Sequence, residues 1–365
     1  MSISTDFVNK TVVVTGHTGF KGSWLTIWLK QLGAHVVGIA LDPHTDPAHF
    51  YAAKVAEGIK DYRINLCDLA AVKEIILGVQ PDYVFHLAAQ SLVRRSYIDP
   101  VETWRTNVFG TLHILEALRQ LDKSCGAVII TSDKCYDNVE WVWGYRETDA
   151  LGGPDPYSGS KGAAELVIRS HIESFFPTAT SPVRIASARA GNVIGGGDWA
   201  SDRIVPDCVR AWSKGIAVQL RNPHATRPWQ HVLEPLSGYL QLATALVQRP
   251  ELHGEPFNFG PSTHESHSVL ELVEKMATHW QQVRWQDVSN AALGPYESGL
   301  LKLNCDKALF HLRWQALLNF TETVRFTAEW YRTYYQLPSD IPAITRDQIH
   351  SYTTTAAQQG LSWAQ

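Results

Sequence analysis

Two stretches of the sequence hold side chains that can pass protons to and from a small molecule. Tyr157 and Lys161, in YSGSK, stand four residues apart, which puts both on one face of a helix. A nearby ammonium favours the phenolate, so the tyrosine can act as a base near neutral pH. Upstream, residues 131–137 read TSDKCYD. Ser132 can hydrogen-bond the substrate hydroxyl on which Tyr157 works. Asp133 and Lys134 set a carboxyl beside an amine, an acid and a base in adjacent positions. By themselves these signals are ordinary: YxxxK is a common spacing, and Asp-Lys is a common solvated turn. Their weight comes from what precedes them in the chain.

Residues 15–22 read TGHTGFKG, with Gly16, Gly19 and Gly22 spaced G-x-x-G-x-x-G. The motif follows an apolar run and opens a helical segment. The unpaired N–H groups and dipole of a helix start attract a pyrophosphate, and glycines let it approach the backbone. Phe20 and Lys21, between the last two glycines, belong to the same contact. The next apolar run ends at Asp42, about twenty residues further on, where an acid binds the adenosine ribose hydroxyls and favours NAD over NADP. Asp68, in NLCDL, has two readings: a bond to the adenine amino group, or an N-cap for the helix that follows. Leu87, Ala88 and Gln90 come after another apolar run, where small residues let the chain pass close to a cofactor. Thr106 completes the cofactor-binding candidates. NAD is the expected cofactor, and the positive charge of its nicotinamide adds to that of Lys161 in favouring a Tyr157 phenolate.

To bring these motifs together the chain must build parallel strands whose carboxyl ends converge, because open α/β sheets place ligands there. The first half alternates accordingly. Strands are expected at Thr11–Thr15, His35–Leu41, Arg63–Leu66, Tyr83–Ala88, Ala127–Thr131 and Val183–Ala188, and helices at Phe20–Leu32, Leu69–Gly78, Val101–Leu121 and Tyr157–Phe175. Such βαβ units predict an α/β fold with a Rossmann-type, doubly wound parallel sheet. After residue 190 the texture changes. Glycine-rich Gly191–Gly197 leads into helical segments Ile204–Lys214, Glu234–Gln248, Ser268–Trp280 and Thr321–Tyr335, with short strands at Val218–Leu220, Trp229–Val232 and Phe257–Phe259. These predict a smaller, mixed α/β C-terminal substrate-binding lobe. The expected divisions are 1–190 for the NAD-binding domain, 191–340 for the substrate lobe, with some chain crossing back, and 341–365 for a polar tail. The tail either wraps the body or stays mobile.

A length of 365 residues suits two joined domains. Hydrophobic residues at 45% exclude a disordered chain, and a net charge of −4 argues against non-specific binding to nucleic acid or anionic membrane. Cys67, Cys125, Cys135, Cys208 and Cys305 show no CxxC spacing and read as reduced thiols. No apolar run approaches the ~18 residues of a membrane span, so the reading is a soluble cytoplasmic protein. The pairs His264/His267 and His44/His49 lack the Cys or acidic partners of a metal site, and no metal is expected.

The order of TGxxGFxG, a Ser after the fifth strand and YxxxK resembles the extended short-chain dehydrogenase/reductase family over about residues 10–335. Within that family, TSDKCYDN, WVWGYRE, RAGNVIGGGDW and RPWQHVLEPLSGYL look like the CDP-glucose 4,6-dehydratases. Related nucleotide-sugar 4,6-dehydratases carry Asp-Glu where this chain has Asp133-Lys134, a departure that the CDP-glucose branch shares. The resemblance implies that Tyr157 takes the proton of the sugar 4-hydroxyl while hydride leaves carbon 4 for NAD+. Lys134, as the neutral amine, would then remove the proton on carbon 5. Asp133, as the acid, would protonate the leaving 6-hydroxyl, and hydride would return to carbon 6. By the same resemblance, Asn192 and Arg227 contact the diphosphate, and Gln219 and Arg221 run beside the base, with Asn258 and Tyr296 nearby. Arg189 and Arg203 lie in the same region, and Arg suits bidentate phosphate binding. A homodimer through the helices starting near Val101 and Tyr157 is implied too. So is a place in deoxysugar supply for surface polysaccharide such as lipopolysaccharide O-antigen. Two other readings compete. A nucleotide-sugar 4-epimerase would use the same Tyr and Lys without needing an elimination pair, and a non-catalytic dinucleotide-sensing protein would need neither.

Overall fold

Thr11–Thr15 (β1) and Cys125–Ile130 (β5) offer water no polar stripe, and beyond the half-buried Thr11 both are buried throughout. They are central strands of the computed structural model, which describes residues 3–262, 265–280, 283–289 and 299–365. The other strands of the main sheet are β2 (His35–Ala40), β3 (Lys60–Arg63), β4 (Tyr83–His86), β6 (Val183–Ala190) and β7 (Pro256–Phe259). The seven strands run in the order β3-β2-β1-β4-β5-β6-β7, and every pairing is parallel. The main helices are α1 (Phe20–Gln31), α2 (Leu69–Val79), α3 (Gly110–Leu118), α4 (Pro156–Phe175), α5 (Ile204–Trp212), α6 (Leu233–Gln248), α7 (Val269–Ala277), α8 (Phe320–Gln336) and α9 (Ile341–Gln358).

Alternate residues of a strand face opposite sides of its sheet, and both sides here are covered. Val12, Val14, Phe85 and Val128 pack with Trp24 and Trp28 of α1, Leu236 and Leu240 of α6, and Trp330 of α8. Val13, Val84, Ala127 and Ile129 pack instead with Val72 and Ile76 of α2, Ile114 and Leu115 of α3, and Ile168 of α4. This two-sided burial is why the strands read as unbroken apolar runs.

The structure departs from the sequence reading in three places. The third strand lies at Lys60–Arg63 rather than Arg63–Leu66. It is the edge strand and wholly exposed, so it carries no apolar signal, whereas Ile64 and Leu66 turn down onto the core. The segment expected as one helix from Val101 is helical without a break from Pro100 to Leu118, but Pro100–Trp104 passes through a π-helical turn at Arg105–Phe109 before α3. The short strand near Phe257 supplies the crossing back that the sequence reading expected. It joins β6 as the seventh strand, so the two halves share a sheet.

The third departure is the C-terminal tail, which is a core element. Residues 341–358 form α9, burying Ile341, Thr345, Gln348, Ile349, Tyr352 and Ala356 along one face. Two of these six are polar, which weakened the pattern. Trp28 meets Tyr352 at 5.8 Å and Trp363 at 6.2 Å between ring centres. The Tyr352 hydroxyl donates to Glu234 Oε2 at 2.8 Å, and Glu234 also accepts from the N–H groups of Leu317 and Leu318 at 3.0 and 2.7 Å. A tail that only wrapped the surface would tolerate truncation of its side chains. Tyr352→Ala is therefore expected to cost about 3–5 kcal/mol in urea unfolding, against less than about 0.5 kcal/mol for the exposed neighbour change Thr354→Ala.

Candidate active site

Strand order reverses between β1 and β4, and a doubly wound sheet opens a crevice at the carboxyl ends of such a pair. The chain closes tightly there. Gly16, at φ +75°, ends β1, and a Cβ on it would lie 2.8 Å from the backbone of Ala88 in the loop after β4. A Cβ on Gly22 would lie 2.1 Å from the Gly16 carbonyl oxygen. Helix α1 therefore starts hard against β1. Its N-cap, Gly19, has no side-chain cap, so backbone N–H groups of the first turn face the crevice, with Phe20 and Lys21 in that turn. An uncapped helix start at a switch point fits a pyrophosphate.

Around it stand the other cofactor candidates. Asp42 lies just past β2, exposed, with Arg63 Nη1 at 3.2 Å. Asp68 takes the cap role left open by the sequence: its side chain accepts from Ala71 N at 3.1 Å at the start of α2. Leu87 and Ala88 press against the Gly16 loop. The Gln90 backbone N–H donates to Asn107 Oδ1 at 2.9 Å, and Asn107 Nδ2 donates to Gln90 O and to Ser160 Oγ at 3.0 and 2.9 Å. Thr106 donates to Glu102 Oε1 at 2.8 Å on the same π-helical turn. Asn107 thus ties the loop after β4 to α4. Sequence reasoning missed it because an Asn inside a helical pattern looks neutral; a π turn, often a functional feature, is visible only in three dimensions. His17 was also missed. It is buried, with Nε2 at 2.8 Å from Asp61 Oδ1.

The expected catalytic residues come together. Ser132 ends β5 and caps the turn Asp133–Cys135. Its Oγ accepts from Lys134 N at 3.2 Å and donates to Asp133 Oδ1 at 2.9 Å, and its hydroxyl is near enough to Tyr157 to draw the phenol pKa down. Asp133 is buried, and its other oxygen faces Asn192 Nδ2 at 3.4 Å. Only glycine fits behind it: a Cβ on residue 191 would sit 1.8 Å from that oxygen. Lys134 is half-buried beside it. Tyr157 and Lys161 are buried on α4.

The expected phenolate is corrected for the protein's own groups. Burial pushes Tyr157 up to about 12, outweighing the Ser132 hydroxyl and the Arg203 charge, both of which pull it down. Burial also holds the Lys161 ammonium down to about 8, against the pull of Cys135 and Glu165. Lys21 falls to about 8 as well, by burial first and then by the Arg203 charge, and Asp133 opposes the shift. Lys21, on the glycine turn, is thus within electrostatic reach of the acid.

The substrate candidates divide. Arg203 donates to Asp198 Oδ2 at 2.6 Å and acts electrostatically on Tyr157, so it lies at the site. Arg221 Nη1 donates to Asp202 Oδ1 at 2.9 Å. Arg227 Nη1 donates to the carbonyls of Thr226 and Gly299 at 2.8 and 3.1 Å. Gln219 is exposed on the strand Val218–Leu220. Asn192 sits on Asp133. Two candidates are corrected. Asn258 is fully buried, and its side chain is spent on Tyr136 Oη (2.7 Å) and the carbonyls of Tyr145 and Asn304 (2.9 and 3.1 Å), which makes it a core tie. Arg189 is buried in a two-armed pair with Glu165 (2.9 and 2.8 Å) and faces no open site. Tyr296 and His264 lie outside the described residues. Among the described residues no three His, Cys, Asp or Glu side chains gather as a metal site.

This parallel sheet, its glycine turn and its Ser-Tyr-Lys cluster define an extended short-chain dehydrogenase/reductase. The chain belongs to the family whose model is described as GDP-mannose 4,6 dehydratase, which matches residues 13–327. It is 44% identical over 353 residues to a CDP-glucose 4,6-dehydratase of Salmonella typhimurium, covering 96% of this chain and 98% of that protein. The fold is shared with a dTDP-glucose 4,6-dehydratase from Bacillus anthracis solved with NAD, at a TM-score of 0.73 and 18% identity, covering 90% and 98% of the two chains. It is shared too with a UDP-glucuronic acid 4-epimerase from Bacillus cereus solved with its namesake sugar nucleotide and NAD, at 0.73 and 20%, covering 89% and 100%.

Burying Lys161 has a thermodynamic consequence. Its folded value is about 8 against 10.5 ordinarily. Between those pH values the unfolded chain binds more protons, so stability rises with pH across that window, and below it the burial cost is present in full. Lys161→Met removes the cost. The variant is expected to be more stable than the parent by about 3 kcal/mol at pH 7, with the difference shrinking toward pH 10 in urea unfolding at the two pH values.

Proposed function

We propose that the chain is an NAD-dependent CDP-glucose 4,6-dehydratase, which forms CDP-4-dehydro-6-deoxy-D-glucose and water. The observation that carries this reading is the Asp133-Lys134 pair, seated by Ser132 and Gly191 in the Tyr157 site of a chain 44% identical to the Salmonella enzyme. A 4-epimerase has no elimination step to occupy such a pair.

Each residue then has a task. Gly16, Gly19 and Gly22 hold the pyrophosphate of NAD at the start of α1, and Asp42 holds its ribose. NAD+ when bound accepts hydride from carbon 4, returns it to carbon 6, and brings a positive ring that favours the Tyr157 phenolate. Tyr157 takes the 4-hydroxyl proton, with Ser132 orienting that hydroxyl. Lys134 as the free amine removes the carbon 5 proton, which the new ketone has acidified, and gives it back after the hydride returns. Asp133 protonates the 6-hydroxyl as it leaves as water. At that point Tyr157 is one proton over and Asp133 one short. Ser132, which donates to Asp133 and acts on the Tyr157 phenol, is the path that resets them. Arg203, Arg221 and Arg227 hold the diphosphate and nucleoside.

The finer setting belongs to the same proposal: a cytoplasmic enzyme supplying deoxysugars for surface polysaccharide such as O-antigen. No helix among the described residues is long and apolar enough to cross a membrane. It works as a homodimer. Ile98 and Val101 are 84% and 67% exposed, and Trp104, Phe109 and Leu166 of α4 add further exposed apolar surface on neighbouring segments. An apolar face of this kind marks a protein interface. The double change Ile98→Glu with Val101→Glu is expected to shift the species from dimer to monomer in light scattering.

Incubation with the CDP, dTDP, GDP and UDP forms of glucose tests the activity. Only the CDP sugar should give a keto product lighter by one water at a high rate; a 4-epimer of unchanged mass would contradict the reading. If Lys134 is the base, Lys134→Glu should move the acid limb of the rate profile to lower pH. Full activity with an unmoved profile would remove Lys134 from that role.

A further inference from the structure

We infer that Glu165, paired with Arg189, is the positioning group of the active site, locking the end of β5 that carries Ser132 and Asp133 to the face of α4 that carries Tyr157 and Lys161. The inference rests on the catalytic roles proposed above.

Glu165 stands four residues after Lys161 and eight after Tyr157 on α4, so the three share one stripe of the helix. The stripe begins in the chemistry and ends in the core. Glu165 is 4% exposed, and both of its oxygens are engaged. Oε1 accepts from the Thr131 hydroxyl and from Arg189 Nε, the latter at 2.9 Å. Oε2 accepts from Ser187 Oγ at 2.9 Å and from Arg189 Nη2 at 2.8 Å. Thr131 directly precedes Ser132. Ser187 and Arg189 lie on β6, which runs straight into Gly191 and Asn192, the two residues that seat Asp133. One carboxylate therefore joins α4, β5 and β6 at the points from which the reacting side chains project.

Arg189 carries the connection further. Its Nη1 donates to Tyr136 Oη at 2.8 Å and to the Glu147 carbonyl at 3.1 Å, and its guanidinium lies 4.9 Å from the centre of the Tyr136 ring. Tyr136, two residues beyond Lys134, donates to Asn258 on β7 at 2.7 Å. The turn with the acid and base is thus held at both ends.

An apolar cluster of the same volume would fill this space without loss of stability, since a buried ion pair gains little net over apolar packing. Apolar contact is non-directional, however, and lets elements slide. A two-armed guanidinium–carboxylate pair fixes both distance and direction. The pair also acts through charge. Arg189, with the hydrogen bonds from Arg189, Thr131 and Ser187, overcomes burial and holds the Glu165 carboxyl below its usual range. The resulting anion supports the Lys161 ammonium against desolvation.

The test uses full-length wild type, Thr131→Val and Glu165→Gln, with two readouts. One is steady-state turnover of CDP-glucose. The other is the NMR titration of Lys161 in the free protein carrying carbon-labelled lysine, assigned with Lys161→Met. Thr131→Val removes one hydroxyl and keeps the charge. It should lower kcat by about tenfold or more at a KM within about twofold of the parent, because misplacement of the order of 1 Å costs up to about a hundredfold, and it should leave the Lys161 midpoint in place. Glu165→Gln should lower that midpoint. Parental kcat in Thr131→Val, or an unmoved Lys161 midpoint in Glu165→Gln, overturns the inference. Should Glu165→Gln fail to fold, Thr131→Val decides alone, by the same two outcomes for kcat. A wild type that turns over no sugar nucleotide sinks the proposed function instead, and the Lys161 titration then decides the positioning role by itself.

Discussion

The whole site hangs from a buried charge pair. Glu165 and Arg189 lie beneath the carboxyl ends of β5 and β6, each almost sealed from water. Taking two ions out of water costs several kcal/mol apiece, and only close geometry and full hydrogen bonding recover it. Here the recovery comes from Thr131, Ser187 and Tyr136 as well as from the pair itself. The charges can stay buried only while those partners stay in register, and the partners belong to the strands that present Ser132, Asp133, Gly191 and Asn192. Stability and alignment are therefore demanded together. A strand that slipped would strand a charge.

A second constraint works against stability. Lys161 is buried in its ammonium-disfavouring place next to Tyr157, and Lys21 is held down in the same way close by. A core built for stability alone would put methionine or leucine there. Cations kept under strain are what a site needs if it must favour a phenolate, receive a dinucleotide and bind a diphosphate. The rigid frame below and the strained cations above are two sides of one design, in which packing around Trp24, Trp28 and Trp330 supplies the stability that the site consumes.

Most of the frame, and the order in which the candidate site residues fall along it, was legible in the sequence, for a physical reason. Strands buried on both faces leave unbroken apolar runs, and a helix that receives a pyrophosphate needs glycines at its start. β1, β4, β5 and α1 are therefore written in composition, and Ser132, Asp133, Tyr157 and Lys161 follow from their order behind that turn. What stayed hidden depended on partners distant in the chain. β3 is an exposed edge strand without apolar signal. The stripe on α9 is one-third polar because Thr345 and Gln348 find bonding partners inside the fold. Arg189 and Asn258 have side chains equally suited to phosphate or core, and only Glu165 and the Tyr136 hydroxyl show which use prevailed. Asn107 and His17 gave no sign because a single polar residue in a helix or turn looks like any other.

The central claim is that hydride leaves carbon 4 of the sugar and returns to carbon 6 of the same molecule, with water lost between. Turnover of CDP-glucose carrying deuterium at carbon 4, followed by NMR of the product, examines it most directly. The account predicts deuterium on the new methyl group at carbon 6 and a ketone at carbon 4. Deuterium returned to carbon 4 of an intact hexose would mean epimerisation, and would contradict it.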